Sequence, residues 1–199
     1  MTIDTNDILN SVLESFSRID YIHSGAIPNI DLYMDQVTTF MDSQLDSTKR
    51  YPEDKILTKT MINNYTKNHL LPPPTKKKYS KEHVLLLILI YYFKNILAIK
   101  DIESLLKPLN EKYFQSEDDL NLTSIYETIC SMEKAQIEPL KEEIKETFSR
   151  AENSFTEAPE EEQSYLQLLS LICSLSFDVY IKKVLVEKLI DELLNPKEE

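Results

Sequence analysis

One glycine, Gly25, stands among the 199 residues of this chain, and that scarcity restricts the fold more than any motif does. Glycine supplies the left-handed turns and the close backbone approach that phosphate and cofactor loops require. With one glycine, no GxGxxG, P-loop or GxSxG can be written, which removes most nucleotide-dependent and serine-hydrolase classes. Architectures built from many short strands and tight turns are disfavoured for the same reason. Apolar residues make up 42% of the chain, enough for a packed core rather than a disordered polymer. Runs of Leu, Ile, Lys, Glu and Ser favour helix, so the expectation is an all-α protein with a small irregular wing.

The periodicities divide the chain. Ile8, Leu9, Val12, Leu13, Phe16 and Ile19 recur at helical spacing and predict an amphipathic helix over residues 5–20. Residues 20–30, holding Gly25 and Pro28, read as a linker or turn. A helix is expected from about Asp31 through Met41, followed by a polar loop over residues 42–54. Thr58 is placed to cap a short helix carrying Met61, Ile62 and Tyr65. Pro72, Pro73 and Pro74 then force an extended path, and Ser80 caps a strongly apolar helix running to about Leu97. A shorter helix with Ile99, Ile102, Leu105 and Leu106 is expected to stop before Pro108. Two helices of roughly thirty residues follow, one from Leu122 and one after Pro159, as a helical hairpin. The division predicted is 1–30, 31–110 and 111–199.

Charge is distributed unevenly. Residues 55–100 hold nine lysines against one acid, Glu82, for a net of +8, while the flanks carry −7 before and −13 after. Polyanions bind by local neutralisation of phosphates, so this patch outweighs the overall charge of −12. In a helix-turn-helix the second helix enters the major groove. Here that helix offers Lys59, Thr60, Asn63, Asn64, Tyr65 and Lys67. Asparagine reads adenine in a bidentate way and lysine reads guanine or holds phosphate; the competing reading is a solvated polar face. Lys76, Lys77, Lys78 and Tyr79 follow the rigid proline turn as a wing that touches phosphate or the minor groove, although a lysine run is also found as a plain solvated loop. Tyr79 can pack beneath that wing or reach a phosphate, and packing is favoured.

The order Leu57-Thr58, Ile62, Tyr65, Leu70-Leu71, Lys77-Lys78-Tyr79-Ser80, then residues 86–90, Lys94 and residues 99–106, resembles the MerR superfamily. More narrowly, it resembles an uncharacterised bacterial family with a MerR-like head, known as a domain of unknown function. The likeness spans about residues 30–108. It implies a winged helix-turn-helix followed by a helical hairpin, with residues 61–65 as recognition helix and residues 76–79 as wing. It implies a transcriptional regulator that binds double-stranded DNA as a homodimer, without a cofactor, and responds to an effector beyond the head. The chain departs from the MerR pattern in having Asn63-Asn64 where Arg-Tyr is usual, Lys77 where Arg is usual, and a helix ahead of the head.

The hairpin carries enough apolar surface to need covering, either by a second copy or by the first helix and the head. An alternative function is a helical protein-interaction module that does not bind DNA. His23, His69 and His83 show no spacing with Cys or carboxylates that suggests a metal, and His69 and His83 are expected at phosphate or solvent. Cys130 and Cys173 sit in apolar helical patterns and are expected to be buried and reduced, with a thiol sensor as the other reading. The first residues lack a signal-peptide pattern and residues 84–93 are too short to span a bilayer, so no membrane is expected and the location is read as cytoplasmic.

Overall fold

The computed structural model describes residues 5–16 and 22–194. It is mostly helical, with one small two-stranded antiparallel sheet and a long C-terminal helix pair. The helices are α1 (Thr5–Phe16), α2 (Met34–Leu45), α3 (Lys59–Lys67), α4 (Lys81–Phe93), α5 (Ile99–Tyr113), α6 (Leu122–Glu152) and α7 (Glu160–Leu194), and the strands are β1 (Leu32–Tyr33) and β2 (Lys78–Tyr79). Residues 17–20 of the helix expected over 5–20 lie outside the described residues. Among the described residues, no helix is long and apolar enough to cross a membrane.

Two compact units divide the chain: residues 1–20 with 132–185, and residues 21–131 with 186–199. The expected boundaries at 30 and 110 both fall inside the second unit. Residues 22–30 are not a free linker, because Ile22, Ser24 and Ile27 are buried. The Tyr126 hydroxyl donates to the carbonyl of Ile22 at 2.8 Å, and Ser24 donates to Glu127, fixing this segment against the start of α6.

The second unit is built around α4. Residues 83–91 are all buried, and a helix apolar on every side belongs at the centre of a core. Each fully buried Leu or Ile there contributes about 1.5–3 kcal/mol, so this helix anchors the unit. Around it pack Val37, Met41 and Leu45 of α2, Ile62 and Tyr65 of α3, and Ile102 and Leu106 of α5. The helix ends at Phe93, four residues before the expected Leu97, with Lys94 donating to the carbonyl of Ile56 at 2.8 Å.

Helix α5 continues through Pro108 to Tyr113, so proline does not stop it as expected. Proline removes one intrahelical hydrogen bond and costs about 3 kcal/mol inside a helix. Here Ile102, Leu106, Leu109 and Tyr113 keep one stripe against the core on both sides of the proline, and that burial carries the helix past it. Asn110 adds a hydrogen bond from Nδ2 to the carbonyl of Leu70 at 3.2 Å.

Glycine scarcity has an unexpected outcome. His69, Lys76, Lys77, Gln115 and Phe155 all take positive φ, whereas Gly25 does not. His69 closes α3 in a Schellman motif: Leu70 N–H donates to Tyr65 at 2.9 Å and His69 N–H to Thr66 at 3.3 Å. Left-handed backbone costs an L-residue about 1–2 kcal/mol that glycine avoids. His69→Gly is therefore expected to stabilise the fold by about 1 kcal/mol, readable as a shift of the urea midpoint at constant slope.

Candidate nucleic-acid interface

Helix α3 begins where Thr58 caps it, the side chain accepting from Met61 N–H at 3.2 Å, as the sequence predicts. Its buried residues, Ile62 and Tyr65, are three apart and face the core, with Met61 half-buried beside them. At about 100° per residue, Lys59, Thr60, Asn63, Asn64 and Lys67 then fall within one arc of roughly 140° on the opposite side. All five are exposed. The helix contains no acid, so its outer face presents only amides, a hydroxyl and ammonium groups. Lys59 forms an ion pair with Asp35, in the first turn of α2. Both side chains are largely exposed, and such a pair contributes little, so an incoming phosphate can replace the carboxylate.

After α3 the chain passes the three prolines into a tight turn. Thr75 and Lys78 bridge in antiparallel fashion, with Lys78 N–H donating to Thr75 at 2.9 Å. Positive φ at both central residues, 51° at Lys76 and 63° at Lys77, makes this a type I′ turn. Such turns normally hold Asn-Gly, because both positions are left-handed. Two lysines in their place leave exposed ammonium groups at the tip at a conformational cost. Lys78 and Tyr79 then form β2, pairing Tyr79 with Leu32 and Lys78 with Tyr33 of β1. Lys78 Nζ lies 5.3 Å from the centre of the Tyr33 ring, a cation–π contact that holds it against the sheet.

Tyr65 and Tyr79 are buried, at 6% and 3% exposure. Burial raises the pKa of both hydroxyls. They support the two surface elements from within the core and do not form part of the surface. His83 is also buried, at 1% exposure, and does not meet solvent as expected. It sits three residues into α4 and completes a capping box: its Nδ1 accepts from Ser80 N–H at 3.0 Å, while the Ser80 side chain accepts from the His83 backbone. The ring stands edge-on to Tyr79, with centroids 5.5 Å apart, and to Phe114 at 4.8 Å. Burial lowers its pKa, opposed by the nearby carbonyls of Pro73 and Pro72 and the charge of Asp31. Its Nε2 completes no hydrogen bond. One ring thus joins the proline turn, β2, the cap of α4 and the end of α5.

A family model described as a domain of unknown function, DUF1836, matches residues 22–129. The chain belongs to that family. No curated protein and no solved structure matches it. The DUF1836 match covers every residue of the candidate surface and begins where the chain enters the core, at Ile22.

Within this DUF1836 domain, reading the sequence missed the pairing of residues 32–33 with 78–79, the left-handed lysines and the role of His83. The spacing Ser80-x-x-His83 carried a signal, since Ser followed three residues later by a side-chain acceptor is the capping-box pattern. Among the described residues, no three His, Cys, Asp or Glu side chains gather closely enough to hold a metal ion. Cys130 is buried in the second compact unit, whereas Cys173 on α7 is exposed, contrary to expectation.

Proposed function

We propose that the DUF1836 domain of this chain binds double-stranded DNA as a winged helix-turn-helix of MerR-like type and serves in transcriptional regulation. The observation that carries the reading is the outer face of α3: five polar or cationic side chains share one arc of a capped helix with no acid in it. In this reading α3 enters the major groove, with Asn63 and Asn64 at base edges and Lys59, Thr60 and Lys67 at phosphates or guanine. Lys76 and Lys77, exposed at the tip of a type I′ turn, meet the flanking phosphates. Lys78, held against Tyr33, adds charge at shorter reach.

The test is enrichment from fragmented source-genome DNA at low and moderate salt, comparing the wild type with Asn63→Ala/Asn64→Ala. Alanine is the better helix former, so the variant keeps α3. The wild type should enrich particular fragments and weaken steeply with salt. The variant should lose about 1–3 kcal/mol of discrimination per base contact, about 30-fold or more in selectivity for the two together, while keeping salt-sensitive bulk binding. A folded wild type that binds no DNA at low salt overturns the proposal, and unchanged fragment selection by the variant removes α3 as the reading element. The first outcome leaves the interaction-module reading in its place; the second leaves DNA binding through another element.

A further inference from the structure

Within the second compact unit, the close of α3, the proline segment and one face of α5 line a cleft of about 640 Å³, a volume usual for a small-molecule site. The α3 and proline wall has no backbone hydrogen to give. His69 N–H donates to Thr66, and Leu70 and Leu71 N–H both donate to Tyr65, while Pro72 and Pro73 carry none. The Thr66 hydroxyl is likewise spent on the carbonyl of Ile62 at 3.3 Å. That wall therefore has mainly acceptors to offer, at the end of α3 where the helix dipole is negative. His69, at its rim, holds a φ of 58° that glycine would hold at less cost, so what the position gains is the imidazole. On the other wall, Glu103, Lys107, Asn110 and Glu111 recur at helical spacing. Lys107 stands about one turn from each carboxylate. Among the described residues it forms an ion pair with neither, and the face carries two carboxylates against one ammonium. Asn110 commits Nδ2 to the carbonyl of Leu70 at 3.2 Å, which leaves its Oδ1 buried with no donor. A buried acceptor without a donor is costly, and a bound N–H group relieves it.

We infer that this cleft binds a small organic cation with a planar head rich in N–H groups, of the amidine or guanidine class. Such a head donates two parallel hydrogen bonds to a carboxylate, which Glu103 and Glu111 supply. Its remaining N–H groups meet carbonyls of the proline segment and the unmatched Oδ1 of Asn110. The apolar body lies against Leu71 and the rings of Pro72 and Pro73, and the imidazole of His69 offers a face for the planar head. An anion would find Lys107 alone and no backbone N–H, and a neutral guest would gain nothing from the two carboxylates. The cleft shares no residue with the outer face of α3 or the Thr75–Lys78 turn, so the inference is independent of DNA binding.

Titration of the full-length chain with benzamidine, benzamide and benzoate, followed by proton–nitrogen NMR, tests this, because the three share one shape and are cationic, neutral and anionic. Benzamidine should saturate with a dissociation constant of about 1 mM or below. Its largest shifts should fall on the amides of residues 66–71 and on the side-chain amide of Asn110. Benzamide should bind about tenfold more weakly, and benzoate more weakly still, for want of the charge-assisted hydrogen bonds. Glu103→Gln/Glu111→Gln should weaken benzamidine about tenfold or more, whereas Lys107→Gln should strengthen it severalfold. Both changes keep good helix formers in α5, and a merely structural defect would not move binding in opposite directions. Benzamidine that does not saturate by ~10 mM overturns the inference. So do shifts that fall outside the cleft, benzamide or benzoate binding as well as benzamidine, or variants that move binding in the same direction or not at all. If one variant fails to fold, the sign of the other decides.

Discussion

Lys76→Asn/Lys77→Gly is expected to make the protein more stable and the DNA binding proposed for it weaker, two effects that ordinary surface substitutions do not combine. Both lysines hold positive φ, and left-handed backbone costs an L-residue about 1–2 kcal/mol at each position. Asn-Gly is the sequence a type I′ turn favours. Part of the gain is offset because glycine widens the unfolded ensemble, so the net stabilisation expected is about 2 kcal/mol. The turn keeps its Thr75–Lys78 bridge, and β2 keeps its pairing with β1. Yet the two outermost ammonium groups disappear. Affinity for DNA should fall about 10- to 100-fold and the salt dependence should lose close to two phosphates' worth of slope. Urea unfolding and a salt titration of binding check the two halves separately. A variant that is stabilised but binds DNA as the wild type does would show that the lysines occupy the turn for some reason other than phosphate. One that is not stabilised would show that the turn is relaxed with lysine in place.

This turn also marks where reading the sequence reaches its limit. The caps at Thr58 and Ser80 were legible because a capping side chain bonds backbone only three residues away. The outer face of α3 was legible because Ile62 and Tyr65 fix which side is inward. The long helices from Leu122 and after Pro159 were legible from periodicity sustained over many turns. By contrast, the pairing of Leu32 with Tyr79 joins two-residue strands 47 positions apart, too short to leave an alternating pattern. The turn itself carries no Asn or Gly, so nothing local announces its left-handed residues. Pro108 and Phe93 misled for a related reason: where a helix stops inside a core depends on what its stripe packs against. Cys173 looked buried because its neighbours are apolar, but the side they form is uncovered within a single chain.

The Thr75–Lys78 turn and β2 should depend on an uncharged His83. His83→Ala removes a side chain at 1% exposure, its edge-on contacts with Tyr79 and Phe114, and the acceptor that closes the cap of α4. A cavity of aromatic size together with a lost capping interaction is expected to cost about 3–5 kcal/mol. His83→Gln separates the parts: Gln is a usual capping-box partner at this position, so it restores the cap but not the ring contacts, and should cost about half as much. Proton linkage gives an independent readout. Burial lowers the pKa of His83 in the fold, whereas the unfolded chain titrates near the ordinary value of about 6.5. Between the two, the unfolded state holds more protons. Stability is therefore complete above about pH 6.5 and is lost as pH falls from there toward the lowered folded value. Denaturant midpoints across pH 5–8 should show this slope in the wild type and a reduced one in His83→Gln, which has no proton to gain. If the slope were unchanged in His83→Gln, the acid sensitivity would belong to other groups, and not to the half-buried Glu82, whose pKa burial raises so that its protonation favours the fold. Because the same ring packs on Tyr79, whose neighbour Lys78 lies beside the turn, acid should loosen β2 and its turn before it reaches α3, where buried Ile62 and the Thr58 cap do not titrate.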